Sequence, residues 1–191
     1  MNKNTTFFLY LKKFGYLFLK KIGSIISFVL PPQIIDGIRV RKIAVKNKKK
    51  KIFNIEDMGR ITRYRANTFS RKEPETIKWI ESFSKEDVFL DVGANIGIFT
   101  LFAISRGHYV VAVEPEAQNF CLLNRNIHLN NFDKMVTTLC LALNDTKMIA
   151  DLNLSSLEYG AALHSFGRSI THHEKEFIPT NKQTNCSRIK N

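Results

Sequence analysis

The chain has 191 residues, of which 44% are hydrophobic, so it is long and apolar enough for one folded domain with an appendage. Its net charge of +12 is uneven, because residues 1–75 hold 18 Lys and Arg against 5 acids whereas residues 76–191 hold 11 against 12. Three widely separated cysteines indicate neither a disulfide framework nor a zinc site, so we expect no bound metal and a cytoplasmic location.

The first 32 residues (1–32) predict a basic amphipathic helix. The segment from Phe7 to Leu30 is apolar, but lysines interrupt it at 12, 13, 20 and 21, and its longest uncharged run has nine residues. A membrane-spanning helix needs about 20 apolar residues, so a bilayer crossing is disfavoured. Two interpretations stay open: residues 4–30 lie on an anionic membrane surface and make the protein peripheral, or their apolar face packs on the protein's own core.

Residues 33–69 predict a β-rich extension. Two partly alternating segments, Ile38 to Val45 and Ile52 to Met58, flank the lysine-rich run Lys46 to Lys51 and predict a hairpin with a solvated tip. Arg60 to Phe69 could add a third strand. The lysine run would also suit a nucleic-acid patch, but no aromatic stacking pattern or recognition helix accompanies it, so nucleic-acid binding is disfavoured.

A helix is predicted over Ser70 to Phe83, at the start of a main domain assigned to residues 70–191. Ser70 and Glu73 have the spacing of a capping box, and Pro74 suits the first turn of a helix. These signals predict that the helix begins at Ser70.

Strands and helices alternate after this helix. The predicted elements are strand Val88 to Val92, helix Gly97 to Ser105, strand Tyr109 to Val113, helix Glu116 to Leu129, strand Met135 to Leu143 and a further strand Met148 to Leu154. This alternation predicts an α/β fold with a parallel sheet. The continuous apolar runs "VFLDV" and "YVVAV" predict that helices cover both faces of the sheet, and residues 155–191 predict loop with one short strand.

The loop after the first of these strands, "DVGANIG", predicts a ligand site at the carboxyl end of the sheet. Gly93 and Gly97 allow positive φ angles and close approach of a ligand. Glu114 ends the next strand, about 20 residues after Gly93, where an acid accepts both hydroxyls of an adenosine ribose. Together these features predict a nucleoside cofactor.

Details of the loop favour one cofactor over another. A dinucleotide fingerprint starting at Gly93 would need glycines where Asn95 and Ile98 stand. Asp91 places a carboxylate in the mouth of the site, which suits an ammonium and a sulfonium and repels a pyrophosphate. Asp91 could equally cap the loop or the following helix, and the two roles are compatible.

The stretches "DVGANIGIFTLFA" and "VVAVEPEAQNFCLLNRNIHLNN", with "SRKEPETIKWI" before and "LALND" after, resemble the S-adenosylmethionine-dependent methyltransferases of the FkbM family. The resemblance spans Ser70 to Asp145 and implies a Rossmann-like class I methyltransferase fold. The residues it assigns to the methionine and ribose side of the cofactor are Asp91, Gly93, Ala94, Asn95 and Gly97. It further implies that Glu114 binds the ribose hydroxyls and Pro115 borders the adenine, with Ala142 and Glu73 as weaker contact candidates.

The resemblance also predicts an incomplete sheet. The family's fold has seven strands, and the 104 residues from Val88 to Asn191 hold only about half of them. We therefore expect a methyltransferase domain truncated after its cofactor-binding half, with the strand Val88 to Val92 as an exposed edge through which a second copy or a partner associates. No residue is assigned as the catalytic base.

The function implied by the family is O-methylation of a hydroxyl on a small-molecule or glycan acceptor, such as a sugar, glycolipid or polyketide. Three alternatives stay open. The chain could be an inactive fragment or a cofactor-binding module that needs a partner. It could be an NAD-dependent oxidoreductase, which the loop disfavours. It could also be a nucleic-acid methylase, which only the charge supports.

Overall fold

The computed structural model describes residues 41–47, 50–145, 148–167 and 178–186, and the predicted basic helix of residues 1–32 lies outside them. The described elements belong to one compact unit that begins at Lys42. Among the helices of this described part, none is long and apolar enough to cross a membrane.

The β-rich extension begins with the predicted hairpin. Strands β1 (Lys42–Asn47) and β2 (Lys50–Glu56) pair antiparallel. Val45, Phe53 and Ile55 on their inner face are at most 1% exposed. The hairpin is confirmed, but its strands extend into the lysine-rich run, because Lys46 pairs with Lys51 and Asn47 with Lys50.

The predicted third strand at Arg60 to Phe69 is wrong, because helix α1 (Arg60–Lys72) occupies this segment. Its buried residues Thr62, Ala66 and Phe69 recur at intervals of four and three, which is the period of a helix and not of a strand. Gly59 precedes the helix with a φ of 126°, a value that favours glycine.

The predicted start of the next helix at Ser70 is also wrong, since Ser70 lies inside α1 and makes no capping box. Helix α2 (Pro74–Glu81) begins four residues later, with Pro74 in the first turn as expected. Glu73 between the two helices is non-helical, at φ −136° and ψ 62°. A residue before proline avoids the helical region, so the chain breaks at Glu73 and restarts at Pro74.

The parallel sheet of the main domain is confirmed. The elements in chain order are β3 (Val88–Val92), α3 (Ile98–Ser105), β4 (Tyr109–Val113), α4 (Ala117–Leu129) and β5 (Val136–Leu139). The strand order is β3-β4-β5, with both pairs parallel. Strand β5 is shorter than predicted, because residues Asp133–Met135 form a 3-10 turn and the pairing with β4 ends at Leu139.

The two faces of this sheet differ, contrary to the prediction that both are covered. Phe89, Val110 and Ala112 point to one face and are at most 3% exposed. On the other face, Val88, Leu90 and Val92 are 58%, 52% and 55% exposed. Within the described residues β3 pairs only with β4, so β3 is an edge strand as expected.

A second sheet follows the parallel one. Its central strand β6 (Ile149–Leu154) agrees with the prediction, and β7 (Ser165–Phe166) and β8 (Asn181–Cys186) flank it antiparallel. The expectation of one short strand after residue 155 is therefore wrong. The polar sequence of β8, "NKQTNC", has no alternation of apolar residues that could have indicated a strand.

One hydrophobic core joins the hairpin, the helices and the covered face of the parallel sheet. The Phe69 ring on α1 lies 5.9 Å from the Phe53 ring on β2 and 5.2 Å from the Phe102 ring on α3, as measured between centroids. These contacts fix α1 beside the carboxyl end of β3, where the predicted ligand site lies.

Candidate functional site

The loop between β3 and α3 has an unusual backbone. Gly93, Asn95 and Gly97 all have left-handed φ angles, of 75°, 54° and 86°. Glycine adopts this region freely and asparagine is the side chain that tolerates it best, which explains the alternation in the sequence. A Cβ atom on Gly97 would lie 2.5 Å from Leu123 Cδ1, whereas one on Gly93 would meet no atom within 4 Å.

The amide groups of this loop are all bonded within the protein. The five hydrogen bonds are Gly93 N to Val113 O (2.8 Å), Ala94 N to Val113 O (3.0 Å), Asn95 N to Glu114 Oε2 (2.7 Å), Ile96 N to Asn95 Oδ1 (3.0 Å) and Gly97 N to Ala94 O (2.9 Å). A phosphate-binding loop instead points free N–H groups at its ligand. This loop therefore offers a pyrophosphate no donor without breaking an internal bond.

Asp91 lies near the end of β3 and is half-buried. Its Oδ2 accepts a hydrogen bond from Thr100 Oγ1 at 2.5 Å, and Thr100 lies in the first turn of α3. Burial raises the pKa of Asp91 above its ordinary value, and the hydrogen bonds from Thr100 oppose that shift. Asp91 thus bonds to the first turn of α3, which agrees with one of the two roles predicted for it.

Glu114 directly follows β4 and is only 4% exposed. Its Oε2 accepts from Asn95 N at 2.7 Å and its Oε1 from Glu116 N at 2.9 Å. Burial raises the pKa of Glu114, while these hydrogen bonds and the Arg65 charge lower it and the Glu116 charge raises it. Both carboxylate oxygens thus hold the backbone of the site.

A cleft of about 350 Å³ opens beside the loop. Of the predicted cofactor-binding residues, the cleft brings together Glu73, Asp91, Gly93, Ala94 and Asn95. It does not bring in the other four, which are Gly97, Glu114, Pro115 and Ala142. The predicted residues thus divide into an open group that lines the cleft and a covered group of buried residues outside it, Gly97, Glu114 and Ala142, while Pro115 is half-buried outside the cleft.

Arg65 on α1 also lines this cleft, and the sequence did not identify it. Its Nε donates to Gly160 O at 2.8 Å. Burial lowers the pKa of the Arg65 guanidinium, and the charges of Glu114 and Glu73 oppose that shift. Arg65 precedes the buried Phe69 by four residues and so lies on the same side of the helix. The sequence did not indicate this position, because Arg60 to Phe69 predicts a strand and not a helix.

Residues 158–162, here called the covering segment, are far from the glycine loop in sequence but hydrogen-bond to it and to its neighbours. The Ala161 carbonyl accepts from Asn95 Nδ2 at 2.6 Å and from Asn119 Nδ2 at 3.0 Å. Gly160 N donates to Asn119 Oδ1 at 2.7 Å. The covering segment therefore bonds to the glycine loop, to α4 and, through Arg65, to α1.

Chemically, the cleft combines two carboxylates, Asp91 and Glu73, with a guanidinium, Arg65, and an ammonium, Lys72, which pairs with Glu73 at 3.7 Å. This is the complement of a zwitterion carrying an ammonium and a carboxylate. Among the described residues, no group of three or more His, Cys, Asp or Glu side chains could hold a metal ion.

Comparisons with known proteins found little similarity. No protein-family model matches the sequence, and no curated protein matches it. A solved structure, described as P. horikoshii TYW2 in complex with MeSAdo, aligns with 64% of this chain at a TM-score of 0.34 and 16% identity. The chain spans 63% of the length of that protein. A likeness of this degree carries no conclusion about the ligand, so the function is argued from the site itself.

Proposed function

We propose that the chain binds S-adenosylmethionine and belongs to the S-adenosylmethionine-dependent methyltransferases. The observation that carries this proposal is the composition of the cleft at the end of β3. Its wall holds two carboxylates, Asp91 and Glu73, and two cations, Arg65 and Lys72, beside a loop whose amides are all internally bonded. A dinucleotide would bring a pyrophosphate to that loop, where Asp91 would repel it and no free donor would receive it.

The amino-acid half of the cofactor fits this cleft. Ligand pockets in proteins have volumes of about 300 to 1,000 Å³, so a cleft of about 350 Å³ holds part of a nucleoside cofactor and not the whole. Asp91 and Glu73 would face the ammonium, and the exposed backbone at Gly93 leaves room for close approach. The adenosine half would lie toward Glu114.

The ribose requires a rearrangement. Glu114 is 4% exposed, so ribose hydroxyls can reach its carboxylate only after the atoms that cover it move. An ionised carboxylate accepts about four hydrogen bonds, and Glu114 uses two, so its capacity for two hydroxyls remains. The covering segment is the element whose displacement would open this path, because its bonds converge on Asn95 and Asn119.

When bound, S-adenosylmethionine supplies a methyl group on a sulfonium, and the residues named here would position it. Methyl transfer gains chiefly from orientation of the two reactants. The sequence resemblance to the FkbM family supports a hydroxyl of a small molecule or glycan as the acceptor. No side chain of the described residues is assigned as the base that would take the hydroxyl proton.

Calorimetry with purified protein tests the proposal. We expect S-adenosylhomocysteine, the demethylated product, to bind more tightly than NAD, and Glu114→Ala to weaken its binding. Ser84→Ala, far from the cleft on an exposed turn, serves as the matched control and should leave the affinity unchanged. Tighter binding of NAD than of S-adenosylhomocysteine would overturn the proposal.

A second candidate is a cofactor-binding module that works only as an assembly. The exposed edge strand β3, with Val88, Leu90 and Val92 at 52% to 58% exposure, favours this alternative. We propose a second copy of the chain as the partner, because two identical edges can pair about a two-fold axis. Light scattering should then report a dimer that Leu90→Lys dissociates; a monomer at all concentrations would exclude it.

A further inference from the structure

The guanidinium of Arg65 forms a hydrogen bond through its Nε and none through its two terminal nitrogens, among the described residues. Its Nε is bound to Gly160 O at 2.8 Å, which fixes the orientation of the planar group. Among the described residues, no hydrogen bond or ion pair engages its two terminal nitrogens. These terminal nitrogens are not among the buried side-chain atoms that lack a partner, so they are accessible from solvent and can receive an acceptor from a ligand.

The two acids near Arg65, Glu73 and Glu114, do not pair with its guanidinium, so an anion could bind there. Glu73, which lines the same cleft, has its side chain 45% exposed and pairs with Lys72 at 3.7 Å. Glu114 accepts hydrogen bonds from Asn95 N and Glu116 N, one on each carboxylate oxygen. Neither acid lies within 4.0 Å of Arg65 as an ion pair, in the part of the chain that the structure describes.

Asp91 places a negative charge in the cleft on the wall formed by β3, apart from the positive charge of Arg65 on α1. Its carboxylate lies in the cleft wall at the end of β3, whereas Arg65 enters from α1. A ligand that spans the cleft therefore meets a negative group on one side and a positive fork on the other. An α-amino acid has this pair of charges on one carbon.

We propose that Arg65 binds the α-carboxylate of the ligand's amino-acid group and makes the cleft selective for nucleosides that carry this carboxylate. The inference rests on the proposed function, since it assumes a nucleoside amino acid in the cleft. Arg65 is suited to the task because a guanidinium forms two parallel hydrogen bonds with a carboxylate, and because its bond to Gly160 holds it in place before the ligand arrives.

The test compares two ligands that differ in the carboxylate alone. S-adenosylhomocysteine carries it, and decarboxylated S-adenosylhomocysteine retains the ammonium and the thioether without it. We expect the intact protein to prefer S-adenosylhomocysteine by about 10- to 100-fold, the range expected for a charged hydrogen-bonded pair. Arg65→Gln should abolish the preference by weakening S-adenosylhomocysteine, while binding of the decarboxylated compound changes by less than about threefold.

Arg63→Gln is the matched control, because Arg63 lies two residues away on the same helix and pairs with Asp57 at 2.8 Å. It should keep the full preference. Arg65→Lys retains the charge without the planar fork, so it should keep part of the preference, and it replaces Arg65→Gln if melting curves show that variant unfolded.

The outcomes separate the two proposals. If neither nucleoside binds the intact protein, the proposed function itself fails. If both bind equally well, or if Arg65→Gln retains the preference, the nucleoside site stands and the role of Arg65 is overturned.

Discussion

Asp91 and Glu114 end adjacent parallel strands, yet they lie in different surroundings. Asp91 is half-buried and borders an open cleft, whereas Glu114 is 4% exposed and bonded to two backbone amides. Strand β3 is the edge of the sheet and β4 is its central strand, so Glu114 has a neighbouring strand on both sides and Asp91 on one. The covering segment adds a second difference, because its Ala161 carbonyl bonds to the side chain of Asn95, whose backbone amide binds Glu114.

The comparison teaches that access to this site is set by residues remote in the chain. Asn95 and Ala161 are 66 positions apart, and Asn119 and Ala161 are 42 apart. The open group can receive a ligand as it stands. The covered group can receive a ligand only when the hydrogen bonds from Asn95 and Asn119 to the Ala161 carbonyl are replaced by bonds to the ligand. We therefore expect the adenosine half to bind slowly.

The largest expected effect distinguishes the two glycines of the loop. Gly97→Ala should lower the free energy of unfolding by about 3 kcal/mol, because its φ of 86° is strained for alanine and its Cβ would lie 2.5 Å from the fully buried Leu123. Gly93→Ala has a similar φ but open space around the Cβ, so it should cost about 1 kcal/mol. Urea denaturation of both variants checks the difference; equal losses would show that packing behind the loop is unimportant.

The next effect concerns the fastening of the covering segment. Asn119→Ala removes two buried hydrogen bonds, to Ala161 O and from Gly160 N, and should lower the free energy of unfolding by about 2 kcal/mol. If the covering segment limits access to Glu114, the variant should also bind S-adenosylhomocysteine faster in stopped-flow measurements.

Asn124→Ala is the control for that experiment. Asn124 lies on the same helix, and its bonds go to Phe120 O and Thr138 Oγ1 instead of the covering segment. It should leave the association rate unchanged. Faster binding in both variants would attribute the effect to general loosening of α4 and would contradict the role of the covering segment.

A third effect uses pH to compare the two carboxylates. Burial raises the pKa of Asp91 above 3.8 in the folded chain. At pH values between the unfolded-state and the folded-state pKa, Asp91 is therefore protonated in the folded state and ionised in the unfolded state. Stability therefore falls as the pH rises through that interval. The same sign holds for Glu114 above its ordinary pKa of 4.5.

Asp91→Asn and Glu114→Gln each remove one of these titrations. Each variant should become more stable relative to the unmodified protein as the pH rises from 4 to 7, as measured by urea unfolding at several pH values. Curves for both variants that run parallel to the curve of the unmodified protein would show that burial does not shift these groups.

The sequence predicted the parts of the site that depend on local chemistry. These parts are the strand β3, the glycines at 93 and 97, and the acid at the end of β4. Apolar runs indicate strands, and glycines indicate positions where φ is positive. Arg65 was missed because α1 buries only Thr62, Ala66 and Phe69 of its 13 residues, so its helical period is weak. The covering segment could not be predicted, since its bonds join residues far apart in the chain and obey no local pattern.

The smallest expected effect tests whether buried bonds or a surface ion pair hold the covering segment. Arg60 pairs with Glu158 at 3.2 Å, but their side chains are 79% and 52% exposed. Exposed ion pairs contribute at most about 1 kcal/mol and often less than 0.5, since solvent screens them and side-chain entropy opposes them. Arg60→Gln should therefore change the free energy of unfolding by less than about 0.5 kcal/mol and leave the S-adenosylhomocysteine association rate unaltered. A rate increase as large as that of Asn119→Ala would mean that Glu158, and not the Ala161 carbonyl, fastens the segment over Glu114.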